Sequence, residues 1–165
     1  MVYSHQKPRE PFKGESQFTL DDVFMMPFTH ELTSDELGRT GYTPLTVNIH
    51  PTGIYVFDAY LQALRVGNSS LSEFCKRYQA TTTDLDGLVF LLTGMSNFDF
   101  RNQWILRTAD LLLRYTDLSI TEIADRSGAG TRNNLYFMYE RDFNCSPTQR
   151  RDDLRMPGDL GHYRI

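Results

Sequence analysis

The side chains in this chain best suited to specific chemistry lie together near its C-terminus: Thr131, Arg132, Asn133 and Tyr136, followed by Arg141, Arg150 and Arg151. Arg and Asn carry forked donors and acceptors that match the edges of guanine and adenine in a DNA major groove. Guanidinium groups also pair with phosphate oxygens two bonds at a time. The chemistry these residues offer is recognition of double-stranded DNA, with Thr131, Arg132, Asn133 and Tyr136 toward the groove and Arg141, Arg150 and Arg151 available to the backbone. Two positions have two readings each. Asn134 suits either a groove contact or a structural hydrogen bond on the flank, and Arg151 either a helix-end anchor after Pro147 or a phosphate.

Catalytic constellations are not expected. The histidines, His5, His30, His50 and His162, are scattered, and no spacing gathers two of them on one helix face. There is no Gly-rich phosphate loop, no G-x-S-x-G and no cysteine pair to complete a zinc site, so the chain is read as a non-enzyme with no metal and no cofactor. Cys75 and Cys145 sit beside apolar residues and read as buried reduced thiols. No apolar run approaches the roughly 18–20 residues that span a bilayer, and MVYSHQKPREPF has no apolar signal core. A cytoplasmic protein with no membrane partner is expected.

Positioning the DNA-facing side chains requires a helix whose other side is anchored. Leu135, Met138 and Tyr139 recur at intervals of three and four after a Thr131 cap. Ahead of them, Ile120, Ile123 and Ala124 line one face of a helix starting at Ser119 or Thr121, and Ser127-Gly-Ala-Gly130 supplies a tight turn. Two short amphipathic helices joined this way make a helix-turn-helix, whose second helix enters the groove. Upstream, the apolar surface of Phe98, Phe100, Trp104, Leu106, Ala109, Leu112, Leu113 and Tyr115 predicts a long scaffold helix.

The order LL-x-x-T-D-L-S-I-T-E-I-A, then Gly128, then L-x-x-M-Y-x-x-x-F and Ser146-Pro147, resembles the second half of the AraC-family DNA-binding domain. That resemblance implies two helix-turn-helix subdomains joined by a central helix, hence an earlier copy. A matching pattern is present. Ile54, Phe57, Leu61 and Leu64 form the stripe of a helix ending near Gly67-Asn68; Ser70 caps L-S-E-F-C; Thr81 caps a helix through Leu92 that Gly94 closes. The resemblance then covers about 54 to 155. The expected architecture is all-α: an irregular N-terminal arm (1–50), a DNA-binding domain (51–156) with a first subdomain (51–95), a central helix (98–116) and a second subdomain (117–156), and a flexible tail (157–165). Fifty residues are too few for the effector-binding barrel that such regulators often carry, so no small-molecule effector domain is expected.

Departures from the family pattern shape the reading. In the first copy the exposed positions are Thr82, Thr83, Asp86, Gly87 and Phe90, without a basic residue, and Asp84 and Asp86 would approach phosphates. That helix is read either as plain core or as a protein-interaction face carrying Asp86, Phe90 and Leu91. Ile105 stands where the family usually has an Arg, with Arg101 or Arg107 as substitutes on the phosphates; Phe137 stands where a basic or polar groove residue is common, and Glu140 replaces a Lys. The net charge of −4 is unfavourable for a DNA binder, but it is unevenly spread. Residues 1–100 hold 7 Lys+Arg against 12 Asp+Glu, whereas residues 101–155 hold 9 against 8.

Prolines 8, 11, 27 and 44 and glycines 14, 38 and 41 punctuate the arm. Leu20 to Phe28 reads as an ordered piece, Ser34-Asp-Glu-Leu as the start of a helical turn, and alternating Leu45-Thr-Val47-Asn-Ile49 as a short strand. The arm lies either on the domain or on a second subunit, or is disordered. The leading function is transcriptional regulation through double-stranded DNA, chiefly by the second recognition helix. The alternative is a degenerate AraC-like interaction module, binding its own copy or another regulator through the arm or the first helix-turn-helix.

Overall fold

The computed structural model describes residues 14–67 and 70–165. The reading of the first twelve residues, that of His5 and the role of Asn68 in stopping a helix lie outside the described residues. The described elements are α1 (Leu20–Val23), β1 (His30–Ser34), β2 (Thr40–Pro44), α2 (Tyr55–Arg65), α3 (Leu71–Arg77), α4 (Thr82–Thr93), α5 (Asn97–Tyr115), α6 (Ile120–Ser127), α7 (Arg132–Phe143), α8 (Pro147–Leu154) and β3 (Tyr163–Arg164). None of these helices is long and apolar enough to cross a membrane.

Helix ends follow local side-chain chemistry. Hydroxyls of Ser70, Thr81, Ser96, Ser119, Thr131 and Ser146 each accept the amide three residues on, satisfying a donor that has no partner inside its helix. Asp84, Glu122 and Gln149 return the bond to the capping residue's own amide, which completes capping boxes on α4, α6 and α8. Gly94 and Gly128 close α4 and α6 in left-handed conformation, at φ of 73° and 88°.

The spine is α5, whose nineteen residues serve two cores in succession. Its first half sends Phe100 and Trp104 into a cluster with Phe57, Tyr60 and Leu61 of α2, Cys75 of α3, and Leu85 and Val89 of α4. Its second half places Ala109, Leu112 and Leu113 against Ile123 and Ala124 of α6 and Leu135, Met138 and Tyr139 of α7. Cys75 and Cys145 are both free thiols.

The arm is ordered where described, and it joins the two cores. Val23 and Met25 are buried in the first, and Phe28, three residues on, is fully buried in the second. Arg65 of α2 holds the intervening backbone, donating to the carbonyls of Met26 (3.1 Å) and Phe28 (3.3 Å). Arg107 reaches the arm as well, pairing with Asp21 and lying 4.5 Å from the Phe24 ring centroid.

The fold is mostly helical but not all-α, because a three-stranded antiparallel sheet in the order β2-β1-β3 closes one side. The β1–β2 register runs from His30 opposite Pro44 to Ser34 opposite Thr40. The strand expected over Leu45–Ile49 forms five residues earlier; the Leu45 amide still donates to the Thr29 carbonyl at 2.8 Å, and the side chains of Leu45 and Val47 pack against the two cores. The helical turn expected from Ser34 is a hairpin turn. Asp35 accepts the amides of Leu37 and Arg39 with one carboxylate oxygen (both 2.9 Å), fixing a bend that would otherwise propagate as a helix. Residues 157–165, expected as a flexible tail, return to the domain. His30 and Glu31 pair with Arg164 and Tyr163, Tyr163 stacks on Phe28 at 4.6 Å, and Arg114 holds Asp159 at 2.8 Å.

Candidate nucleic-acid interface

The geometry of α7 is set by the turn before it. After Gly128, Ala129 is buried, and the Gly130 amide donates back to the Ala124 carbonyl at 2.9 Å. The Asn134 side chain then donates to the Ala129 carbonyl at 2.8 Å. Of its two readings, the structural one is therefore the bond observed. Leu135, Met138 and Tyr139 fix one side of α7 in the core.

Anchoring continues through Asp110 on α5. It accepts the Tyr139 hydroxyl (2.8 Å) and both an Nε (3.1 Å) and an Nη2 (2.7 Å) bond from Arg150 of α8. Burial, and then the charge of Asp110, pushes the Tyr139 phenol far above its ordinary value, so it stays a donor at any physiological pH. Arg150, expected at phosphates, spends its fork on this carboxylate and lies 4.4 Å from the Phe143 ring centroid. Arg151 is also turned inward, donating to the Leu118 carbonyl; burial first, and then Arg155, holds its pKa below the ordinary value. Arg155, which the sequence reading passed over, joins α8 to the end of α5 by bonds to the carbonyls of Leu113 (3.1 Å) and Thr116 (2.5 Å). The helix-end carbonyls that receive it have no signature in the chain order.

The outward side of α7 is different. Arg132, Asn133, Phe137, Glu140 and Arg141 are exposed and Tyr136 is half-buried. Thr131 is exposed too, but its hydroxyl is engaged in capping, with the Asn134 amide at 3.2 Å. Arg132 lies along its own helix, 5.3 Å from the Tyr136 ring centroid, with Nη2 3.4 Å from the Tyr136 hydroxyl. Bonds from Thr148 and then Arg132 lower the Tyr136 pKa. Arg141 is paired with the adjacent Asp142 (2.6 and 2.8 Å) at the surface.

The first helix pair presents a different surface. Asp84 is engaged by the amide and hydroxyl of Thr81, which lower its pKa in that order. Asp86 is half-buried and accepts the Asn97 amide at 2.9 Å, tying α4 to the start of α5. Phe90 is half-buried, so of Asp86, Phe90 and Leu91 only Leu91, 64% exposed, stands open.

Between α4 and α7 runs a cleft of about 490 Å³. Thr82, Thr83 and Asp86 form one wall, Asn134, Phe137 and Arg141 the other, and Phe98, Arg101, Asn102 and Ile105 of α5 the floor. Ile105 is 4% exposed and packs 3.7 Å from the Cβ position of Gly128, where a charged side chain would be desolvated. Arg101 lines this cleft, whereas Arg107 is directed to the arm. Among the described residues no cluster of His, Cys, Asp and Glu is arranged to hold a metal ion.

No model of a protein family matches the chain. Over 55 residues the chain is 42% identical to the HTH-type transcriptional activator RhaS of Salmonella arizonae, and to RhaS of Salmonella newport to the same degree. That match covers 33% of this chain and 20% of the relative, so the chain matches about a fifth of the length of these curated relatives. Two solved structures share the fold. The C-terminal domain of the two-component response regulator yesN from Fusobacterium nucleatum has a TM-score of 0.51 at 21% identity, covering 59% of this chain and 94% of that domain. The C-terminal domain of AraT, a response regulator from Geobacillus stearothermophilus, has a TM-score of 0.52 at 19% identity, covering 70% and 93%.

Proposed function

We propose that the chain is a helical domain of the AraC helix-turn-helix type that regulates transcription by binding double-stranded DNA. In this reading α3–α4 and α6–α7 are two helix-turn-helix units joined by α5, with α7 as the helix that enters the major groove. One observation carries it. α7 is anchored by Leu135, Met138 and Tyr139, while Arg132 and Asn133 on its other side face solvent, Arg132 leaning on Tyr136 one turn on. A planar donor fork and a carboxamide on a rigid helix are what a guanine or adenine edge selects. Thr131 contributes by fixing the first turn, Tyr136 by orienting Arg132. Arg141 and Arg101 border the cleft in which a phosphate backbone would pass, and Arg150 and Arg151 act as positioning residues for α8.

Binding of duplex DNA at low salt, followed through a salt series, tests the reading. Affinity should fall with salt at a slope of about −0.9 for each phosphate neutralised. The Arg132→Ala variant should weaken binding to a selected site by about 1–3 kcal/mol and relax the preference at one base position. No duplex binding at low salt would leave instead a protein-interaction module, to which the acidic first half is better suited.

A further inference from the structure

The side chain at the middle of the outward face of α7 is apolar. Phe137 is 64% exposed, lies one helical turn after Asn133, and belongs to neither core. Everything within one turn of it on that face is polar: Asn133, Tyr136, Glu140 and Arg141. Arg141 stands 6.0 Å from the Phe137 ring and 6.0 Å from that of Phe98, the other exposed aromatic of the cleft. The guanidinium is a charged neighbour of both rings, and a ring among hydrogen-bonding groups and a cation does not make the contiguous apolar patch that a protein partner covers.

Resting on the reading of α7 as the groove helix, we infer that Phe137 is a specificity-determining residue that recognises the C5-methyl group of a thymine. The major groove is lined by donors and acceptors, and the thymine methyl is the apolar group that projects into it. A phenyl ring facing any other base edge desolvates a donor or acceptor without replacing its hydrogen bond. Facing thymine, it buries a methyl group against carbon. Asn133, one turn earlier on the same face, reaches a neighbouring base pair, so the two side chains together select a short stretch rather than a single pair.

The test removes the methyl group and nothing else. After a site is selected from random duplex DNA with the unaltered chain, each thymine in it is replaced in turn by deoxyuridine, and binding is measured for the unaltered chain and for Phe137→Ala. One position should weaken binding of the unaltered chain by about fourfold, the value of burying one methyl group. Phe137→Ala should bind thymine and deoxyuridine equally at that position while keeping its thermal midpoint, because the ring is outside the core. Deoxyuridine tolerated everywhere, or a methyl preference that survives in Phe137→Ala, overturns the inference and leaves DNA binding standing. Loss of self-association in Phe137→Ala with no methyl effect would assign the ring to a protein contact instead. Absence of duplex binding by the unaltered chain overturns both this inference and the reading it rests on.

Discussion

Arg132 and Arg150 are the same residue type in opposite settings, and the difference is what each guanidinium touches. Arg132 leans on a phenol of its own helix through a single 3.4 Å contact, which a base edge can displace. Arg150 makes two bonds to Asp110, a half-buried carboxylate that also receives Tyr139. Removing Arg150 leaves Asp110 with one donor and loosens α8 from α5. Arg150→Ala is therefore expected to lower stability by about 1–2 kcal/mol in urea unfolding. The salt slope of DNA binding should be unchanged, since no phosphate contact is lost. A slope reduced by about one unit would show that Arg150 reaches the backbone after all.

At the scale of elements, the C-terminal segment is held by an ionisable clasp. Asp159 accepts bonds from Arg114 and from the Met156 amide, and the Arg114 bond, opposed by burial, holds its carboxyl below the ordinary range. A carboxyl whose folded pKa is depressed contributes in full above the unfolded value of about 4, and that contribution is lost as pH falls through the folded value. Docking of β3 should thus be insensitive to pH near neutrality and should weaken below about pH 4. Asp159→Asn should produce the same weakening at pH 7. Amide exchange at Thr29 and Leu32, which donate to the carbonyls of Arg164 and His162, reads this directly. Protection unchanged in Asp159→Asn would mean that strand pairing and the Phe28–Tyr163 stack hold the segment without the clasp.

Across the whole molecule, the two halves joined by α5 also meet at a close backbone contact. Gly67, after α2, has φ of 74°, and a Cβ there would lie 2.5 Å from the Arg126 carbonyl oxygen at the end of α6. Gly128 faces the same place: a Cβ added there would lie 3.7 Å from the Gly67 carbonyl oxygen and 3.8 Å from the Gly67 Cα. Gly67→Ala adds both backbone strain and a clash with an atom that cannot rotate away, and is expected to destabilise by about 1–3 kcal/mol. Because the contact seats the end of α6, on which α7 packs, the proposed duplex binding should weaken even at temperatures where the variant is fully folded. A variant with unaltered urea midpoint would show that the two halves move apart at little cost.

Most of the helical skeleton was legible in the chain order, because the information is local. A hydroxyl before an apolar period marks a start at Ser70, Thr81, Ser119 and Thr131, and Gly94 and Gly128 mark ends, each through a bond spanning only a few residues. The candidate face of α7 was legible for the same reason, as the complement of Leu135, Met138 and Tyr139. Long-range partners decided the rest. β1 gains its second neighbour from Tyr163 and Arg164 at the far end of the chain, the Leu45 side chain is drawn to a core built by α5 to α7, and Arg150 and Arg151 turned inward because Asp110 and the Leu118 carbonyl, tens of residues distant, offered better partners than water. Sequence period determines which side of a helix is greasy; only the packed chain determines which charges remain available outside it.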